Sequence, residues 1–218
     1  HACANKTGEV KKVDMRTVSQ KPPIPFDVGT LQREAYSFFG YTPKRTIAIT
    51  QRLYLDALVS YPRTGSQKLP PIIDYRKILN SLKEKPKYKI LASRLLEKEE
   101  LTPREGIKDD PAHPAIYPTG KLPEKSLKVS ERRIWDLIVR RFMAVFGEPA
   151  LKQSVKAHLE VNNHVFFLKG RRILKEGWME YYMPYVRAEE VHLPKVTEGD
   201  SVRLRKVIRI NKFTSPPA

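Results

Sequence analysis

At residue 150 the hydrophobic pattern of the chain changes its period, and this switch limits the possible folds more than any other feature. Upstream, in the stretch 131–146, Ile134, Trp135, Ile138, Phe142 and Val145 fall at the spacing of one helix face, and Gly147 and Pro149 end the run. Ser130 stands where it can cap that helix. Downstream, Val155, Ala157, Leu159 and Val161 alternate, Asn162-Asn163 supplies a turn, and apolar residues return from Val165 to Leu168, which predicts a β-hairpin. Further strands are expected over 179–183 and 202–210, the latter after a Glu198-Gly199-Asp200 turn. One chain must therefore accommodate a helical part and a β-rich part.

The helical part follows an extended stretch. Residues 1–26 close with Lys21-Pro22-Pro23-Ile24-Pro25-Phe26, and prolines that dense exclude a regular helix. Asp27 or Thr30 can cap a helix with Leu31, Ala35 and Phe38 on one face, ended by Gly40. Thr42-Pro43 starts a second helix carrying Ile47, Ile49, Leu53, Tyr54 and Leu58. Two short helices joined by Gly40-Tyr41-Thr42 resemble a helix-turn-helix. Further helices are expected over 72–82 and 88–96, and the proline-studded loop 102–126 is long enough to suggest a function. No internal repeat is present. The simplest architecture is α+β, with a helical domain, residues 27–149, inserted into a β-rich domain assembled from residues 1–26 and 150–218.

Charge narrows the choice of partner. Against 24 Asp and Glu stand 41 Lys and Arg, a formal net charge of +17, which calls for a polyanion and first of all a nucleic acid. The single cysteine, Cys3, excludes an intrachain disulfide and a cysteine-based zinc cluster, and suits an intracellular, cytoplasmic setting. No apolar run reaches the roughly 20 residues of a membrane helix, so no membrane partner is expected.

The segment that carries chemistry is Gln51-Arg52-Leu53-Tyr54 followed by Leu58-Val59-Ser60-Tyr61-Pro62-Arg63-Thr64-Gly65-Ser66. A phenol, with an ordinary pKa of about 10, is a weak nucleophile at neutral pH and needs a positive charge or a base beside it. Arg63 supplies the charge. Residues two apart on an extended segment share a face, so Tyr61 and Arg63 can address one phosphate, with the guanidinium binding it bidentately. A displacement at phosphorus builds negative charge, which a preorganised guanidinium stabilises.

This segment closely resembles the active-site segment of type IA DNA topoisomerases, and the proline run 21–26, the Thr30-Leu31-Gln32 helix start and the helix at 51–54 follow that family's order. His113-Pro114-Ala115-Ile116-Tyr117-Pro118-Thr119 resembles the family's His-x-Ala-Ile-x-Pro-Thr element. Leu168-Lys169-Gly170-Arg171-Arg172-Ile173-Leu174, Gly177-Trp178 and Phe213-Thr214-Ser215-Pro216-Pro217-Ala218 are similar to the strands and exit of its gate domain. Pro62, Ser66-Gln67-Lys68-Leu69-Pro70 and Tyr117 bring the resemblance nearer to archaeal enzymes, reverse gyrase or topoisomerase III types than to bacterial topoisomerase I.

The resemblance implies that Tyr61 is the nucleophile and becomes linked to a DNA 5′ end, with Arg63 and His113 completing the catalytic set. It makes Arg52, Thr64, Ser66, Lys68, Tyr117 and Thr119 candidate DNA contacts, with Lys121 beside them. His158, His164 and His192, which lie outside its motifs, are read as structural. It also implies that the helical domain is CAP-like, that the β-rich domain is a gate or arch, and that DNA, mainly single-stranded, is the partner. The family's magnesium-binding Asp-x-Asp element is missing, Asp109-Asp110 being adjacent residues in a loop. No metal site is therefore expected on this chain. Mg2+ would be held by a further domain of a larger enzyme, whose remaining domains would be partners of a piece inactive alone. Two rivals stand beside this reading. One is a non-catalytic helix-turn-helix DNA-binding module; the other is a different tyrosine transesterase, which would need several catalytic arginines and histidines or a metal-binding histidine pair.

Overall fold

The computed structural model describes residues 3–110, 112–186, 191, 193–208 and 210–211. A long strand, β1 (Lys6–Gln20), leads through the proline run into α1 (Val28–Phe39) and α2 (Pro43–Leu55). Then come α3 (Tyr75–Lys83), α4 (Pro86–Leu96) and, past the long loop, α5 (Val129–Ala144). The hairpin β2 (Ala150–Val161) and β3 (His164–Lys175), a short α6 (Met179–Tyr182) and β4 (Ser201–Leu204) complete the order. None of the described helices is long and apolar enough to cross a membrane.

The chain divides into a sheet unit, residues 1–18, 151–174 and 188–218, and a helical unit, residues 19–150 and 175–187. The division departs from the sequence expectation at two places, because 19–26 and 175–187 belong with the helices. Phe26 is fully buried there with the Arg141 guanidinium 4.2 Å from its ring centre, and the Trp178 indole N–H donates to the Gln20 carbonyl at 3.1 Å. Residues 179–183, expected as a strand, contain the single turn α6, and three of its four residues, Met179, Tyr181 and Tyr182, are buried. Burial has overridden the strand preference of the tyrosines at this point.

In the helical unit, Asp27 caps α1: its carboxylate accepts from the Thr30 N–H at 2.6 Å, and the Thr30 hydroxyl accepts from the Asp27 N–H at 3.0 Å. Gly40 ends the helix in the left-handed region at φ 68°, a conformation that costs glycine nothing. Thr42 caps α2, with Pro43 in its first turn. The expected Ser130 cap is corrected, since α5 starts two residues earlier than expected, at Val129, and Glu131 closes its first turn by accepting from the Lys128 N–H at 3.1 Å. From Ile134 to Ala144 every residue of α5 is buried, the signature of a central helix. Its buried charged residues find partners, while the Trp135 indole N–H and Arg141 Nε are buried without one among the described residues. Arg141 bonds Glu34, and the Asp136 carboxylate accepts from Tyr88 at 2.6 Å and Tyr185 at 2.7 Å, with Lys87 at 2.8 Å.

The sheet unit has strand order β3-β2-β1-β4, with β1 and β4 antiparallel in the register Lys6↔Leu204 to Glu9↔Ser201. Its core joins Cys3, Val10, Ala157, Leu159, Val161 and Val196, with Phe166 and Leu168 packed against them. The hairpin turns at Asn162 (φ 49°) and Asn163 (φ 61°), the left-handed pair that a two-residue connection requires. Gly8 leaves no room for a side chain, as a Cβ there would lie 2.4 Å from the Glu160 carbonyl oxygen. Of the expected strand 202–210 only the beginning is in β4; 209, like His192 and 212–218, lies outside the described residues.

Candidate active site

The Tyr61 segment is held by the loop that carries His113. Val59 and Pro118 form an antiparallel bridge, the Ser60 N–H donates to the Tyr117 carbonyl at 2.9 Å, and the Ser60 hydroxyl donates to the Ala115 carbonyl at 3.1 Å while accepting from the Tyr117 N–H at 3.0 Å. Beyond Tyr61, the Thr64 hydroxyl donates to the His113 carbonyl at 3.1 Å, and the Ala115 N–H donates to the Lys68 carbonyl at 2.8 Å. A third strand-like piece joins from the proline run, through the Phe26↔Ile116 bridge and the Val28 N–H donating to the Thr64 carbonyl at 2.9 Å. These bonds fix the backbone on both sides of Tyr61 while leaving the residue itself half-buried.

The Tyr61 ring is flanked by two others. His113 lies 4.5 Å away between centroids at an interplanar angle of 38°, and Tyr54, at the end of α2, meets it edge-on at 5.6 Å and 76°. Pro62 is buried, Arg63 and His113 are exposed, and no described residue pairs with the Arg63 guanidinium or hydrogen-bonds the Tyr61 hydroxyl. A half-buried phenol and, two residues on, an exposed guanidinium thus sit on one braced loop.

Below this surface Asp27 ties three segments together. Its second carboxylate oxygen accepts from the Gln67 amide at 2.8 Å, with Lys108 3.6 Å away. Burial alone would raise its pKa, but hydrogen bonds from Thr30 and Gln67 and the Lys108 charge hold the carboxyl below the usual carboxylate range. The cap of α1 is therefore also a support of the 64–68 loop.

The expected DNA contacts divide on burial. Thr64 and Ser66 are fully buried, and their hydroxyls serve the loop: Thr64 accepts from the Ser66 N–H at 3.0 Å and Ser66 accepts from the Lys68 N–H at 3.1 Å. In this structure both hydroxyls are engaged in shaping the loop. Lys68 is half-buried beside Glu105 at 3.3 Å, Arg52 is exposed and paired with Glu131 at 3.0 Å, and Lys121 lies 3.5 Å from Glu124. The Thr119 hydroxyl donates to the Ala57 carbonyl at 2.6 Å, and burial pushes the half-buried Tyr117 phenol up from its ordinary pKa. Tyr54, Ser60, Asp27 and Gln67 were not among the expected site residues. Tyr54 sits in the quoted Gln51-Arg52-Leu53-Tyr54 run, yet helix periodicity counts it as a packing residue.

No group of three His, Cys, Asp or Glu side chains that could hold a metal ion converges among the described residues. Asp109 is exposed, and Asp110 accepts from the Ala112 N–H at 3.0 Å. The described residues therefore offer no convergent carboxylate set for magnesium.

With this geometry described, likeness to known proteins defines the class. The profile of the DNA topoisomerase family matches residues 1–218, and the chain belongs to that family. Among its relatives is the protein named DNA topoisomerase 1 of Pyrococcus horikoshii, 50% identical over 210 residues that make up 96% of this chain and 31% of the relative. The DNA topoisomerase 1 of Methanothermobacter thermautotrophicus is 47% identical over 99% of this chain and 30% of its own length. The chain thus spans about a third of the curated relatives it matches. In fold it is similar to full-length topoisomerase I from Thermotoga maritima, with a TM-score of 0.66, 22% identity, and coverage of 91% of this chain and 33% of that one.

Proposed function

We propose that this chain is the tyrosine-bearing and gate portion of a type IA DNA topoisomerase, which cleaves and rejoins one DNA strand and passes another through the opening. The observation that carries the proposal is the open Tyr61 ring, set between His113 and Tyr54 on a loop whose next exposed side chain is Arg63. The Tyr61 phenol releases its proton to solvent as its oxygen attacks a backbone phosphorus. A bond forms to the DNA 5′ phosphate, the bond to the 3′ oxygen breaks, and that oxygen takes a proton from solvent and leaves as a 3′ hydroxyl, so no net proton is gained or lost. Arg63 neutralises the charge that builds on the phosphorane, and His113 adds a hydrogen bond or positive charge at the same phosphate. Because the phosphotyrosine ester conserves the energy of the broken linkage, attack by the 3′ hydroxyl restores the strand without ATP.

In this reading the helical unit, CAP-like in character, carries the nucleophile, and the sheet unit belongs to the gate. The main partner is single-stranded DNA, and Mg2+ acts from a part of the longer enzyme not represented in this chain. Arg52, Lys68, Tyr117 and Thr119 remain candidate strand contacts. The rival duplex-reading module would use α2, but the Arg45 guanidinium lies 4.2 Å over the Tyr41 ring, so part of its reading edge is engaged within the protein.

The test is Tyr61→Phe in an enzyme of the relatives' full length. Covalent adduct and relaxation disappear while oligonucleotide binding stays within about twofold, because only the nucleophilic oxygen is removed. Normal relaxation by that variant would refute the assignment.

A further inference from the structure

The strand-cleavage chemistry leaves the outer face of the β2–β3 hairpin without a role. Ala157, Leu159 and Val161 of β2 and Phe166 and Leu168 of β3 enter the core of the sheet unit, so the alternate residues fall on the other side. There Phe167 is 49% exposed, a costly position for an aromatic ring. Its neighbours steady it and cover only part of it. The Lys156 ammonium lies 4.1 Å from the ring centre, and His158 meets the ring edge-on at 4.9 Å and 87°. His158 is itself held by Asp14, 3.1 Å away, which also binds Lys12 at 2.6 Å.

The charge around the ring has one sign to spare. Asp14 is taken up by Lys12 and His158, whereas Lys156, Lys169 and Arg171 have no acidic partner among the described residues. Phe167, Lys169 and Arg171 follow one another on the same side of β3, about 7 Å apart at each step of two residues. An exposed ring followed by cations in line offers a base a stacking surface and the adjoining backbone a row of charges.

We propose that this face binds a single nucleic-acid strand, with one base stacked on Phe167 and neighbouring phosphates on Lys156, Lys169 and Arg171. A duplex cannot use the ring, because its base faces are already stacked on one another. The surface belongs to the sheet unit, and its binding does not depend on the Tyr61 chemistry.

The experiment is a titration of a fluorescein-labelled oligothymidylate of about 12 nucleotides with the 218-residue chain, read by anisotropy over a series of salt concentrations. Phe167→Leu, which keeps apolar bulk and loses the ring, weakens binding about tenfold with the salt slope unchanged. Phe167→Tyr restores it. Lys156→Ala and Lys169→Ala each lower the slope by about 0.7, and binding of a duplex of equal length is indifferent to Phe167. An oligonucleotide carrying 5-iododeoxyuridine, cross-linked by light and mapped by mass spectrometry, labels the β3 peptide. The proposal is overturned if Phe167→Leu stays within twofold of the parent, if single strand and duplex lose equally, or if cross-links are confined to the peptides of Tyr54 and Tyr61. Loss of the Phe167 effect together with loss of cleavage in Tyr61→Phe would discard this surface and leave the proposed function standing.

Discussion

Tyr61 owes its position to neighbours that spend their own polar groups on the backbone. Ser60 and Thr64 clamp the loop on either side, and Arg63 is left over for a ligand. It follows from the proposed chemistry that Arg63→Ala lowers single-turnover cleavage by the longer enzyme about 10²–10³-fold, the size of one lost preorganised donor. Arg63→Lys recovers only part, since an ammonium cannot replace the two-pronged fork, and rapid-quench assays on a labelled oligonucleotide measure both. Just upstream, Ala57 turns the chain out of α2 at φ 59°, a conformation that strains an L-residue by about 1–2 kcal/mol. Ala57→Gly relieves this and gives back part through unfolded-state entropy, so urea denaturation shows a net gain of about 0.5–1 kcal/mol. At this scale the two motifs that meet, one with Tyr61 and one with His113, were readable, because each is a short run of fixed residue types. The burial of Thr64 and Ser66 was not, because a loop hydroxyl can serve the backbone or a ligand with the same sequence. Tyr54 escaped for a related reason, as its contact with Tyr61 depends on how the chain leaves α2.

The elements with local signals were legible. Asp27, Gly40, the Thr42-Pro43 start and the Asn162-Asn163 turn each act within a few residues, and each stands where its chemistry predicts. The α6 turn has no such signal, and its helical form follows from burying three of its four side chains. The cap of α1 has a further consequence, because the same carboxylate supports the active-site loop. Asp27→Ala removes the cap and the Gln67 anchor together and costs about 1–2 kcal/mol, read as a lower thermal midpoint. The Asp27 pKa is depressed in the folded state, so its contribution is complete above the unfolded value near 4 and fades as the pH falls through the folded one. On acid titration the stability difference between the parent and Asp27→Ala proteins begins to shrink at about pH 4 and closes only below the depressed folded pKa.

Across the whole molecule, the two units are stabilised differently. The sheet unit relies on an apolar core, whereas the helical unit runs its central helix through a buried polar network around Asp136. Burial opposes ionisation of that carboxyl, but hydrogen bonds from Lys87, Tyr88 and Tyr185 outweigh it and keep its pKa low. Asp136→Ala leaves those partners and Arg140 uncompensated and destabilises by about 3–5 kcal/mol in denaturant unfolding. The unit boundaries were hard to read in sequence because 19–26 and 175–187 join the helical unit through residues far apart in the chain, such as Trp178 with Gln20, Arg141 with Phe26 and Tyr185 with Asp136, rather than through any periodic pattern. Both tryptophans, Trp135 and Trp178, fall in the helical unit, and the lone thiol, Cys3, is buried in the other. The protein thereby carries a separate native reporter for each half: indole emission follows the melting of one, and the onset of reaction with a thiol reagent follows the opening of the other.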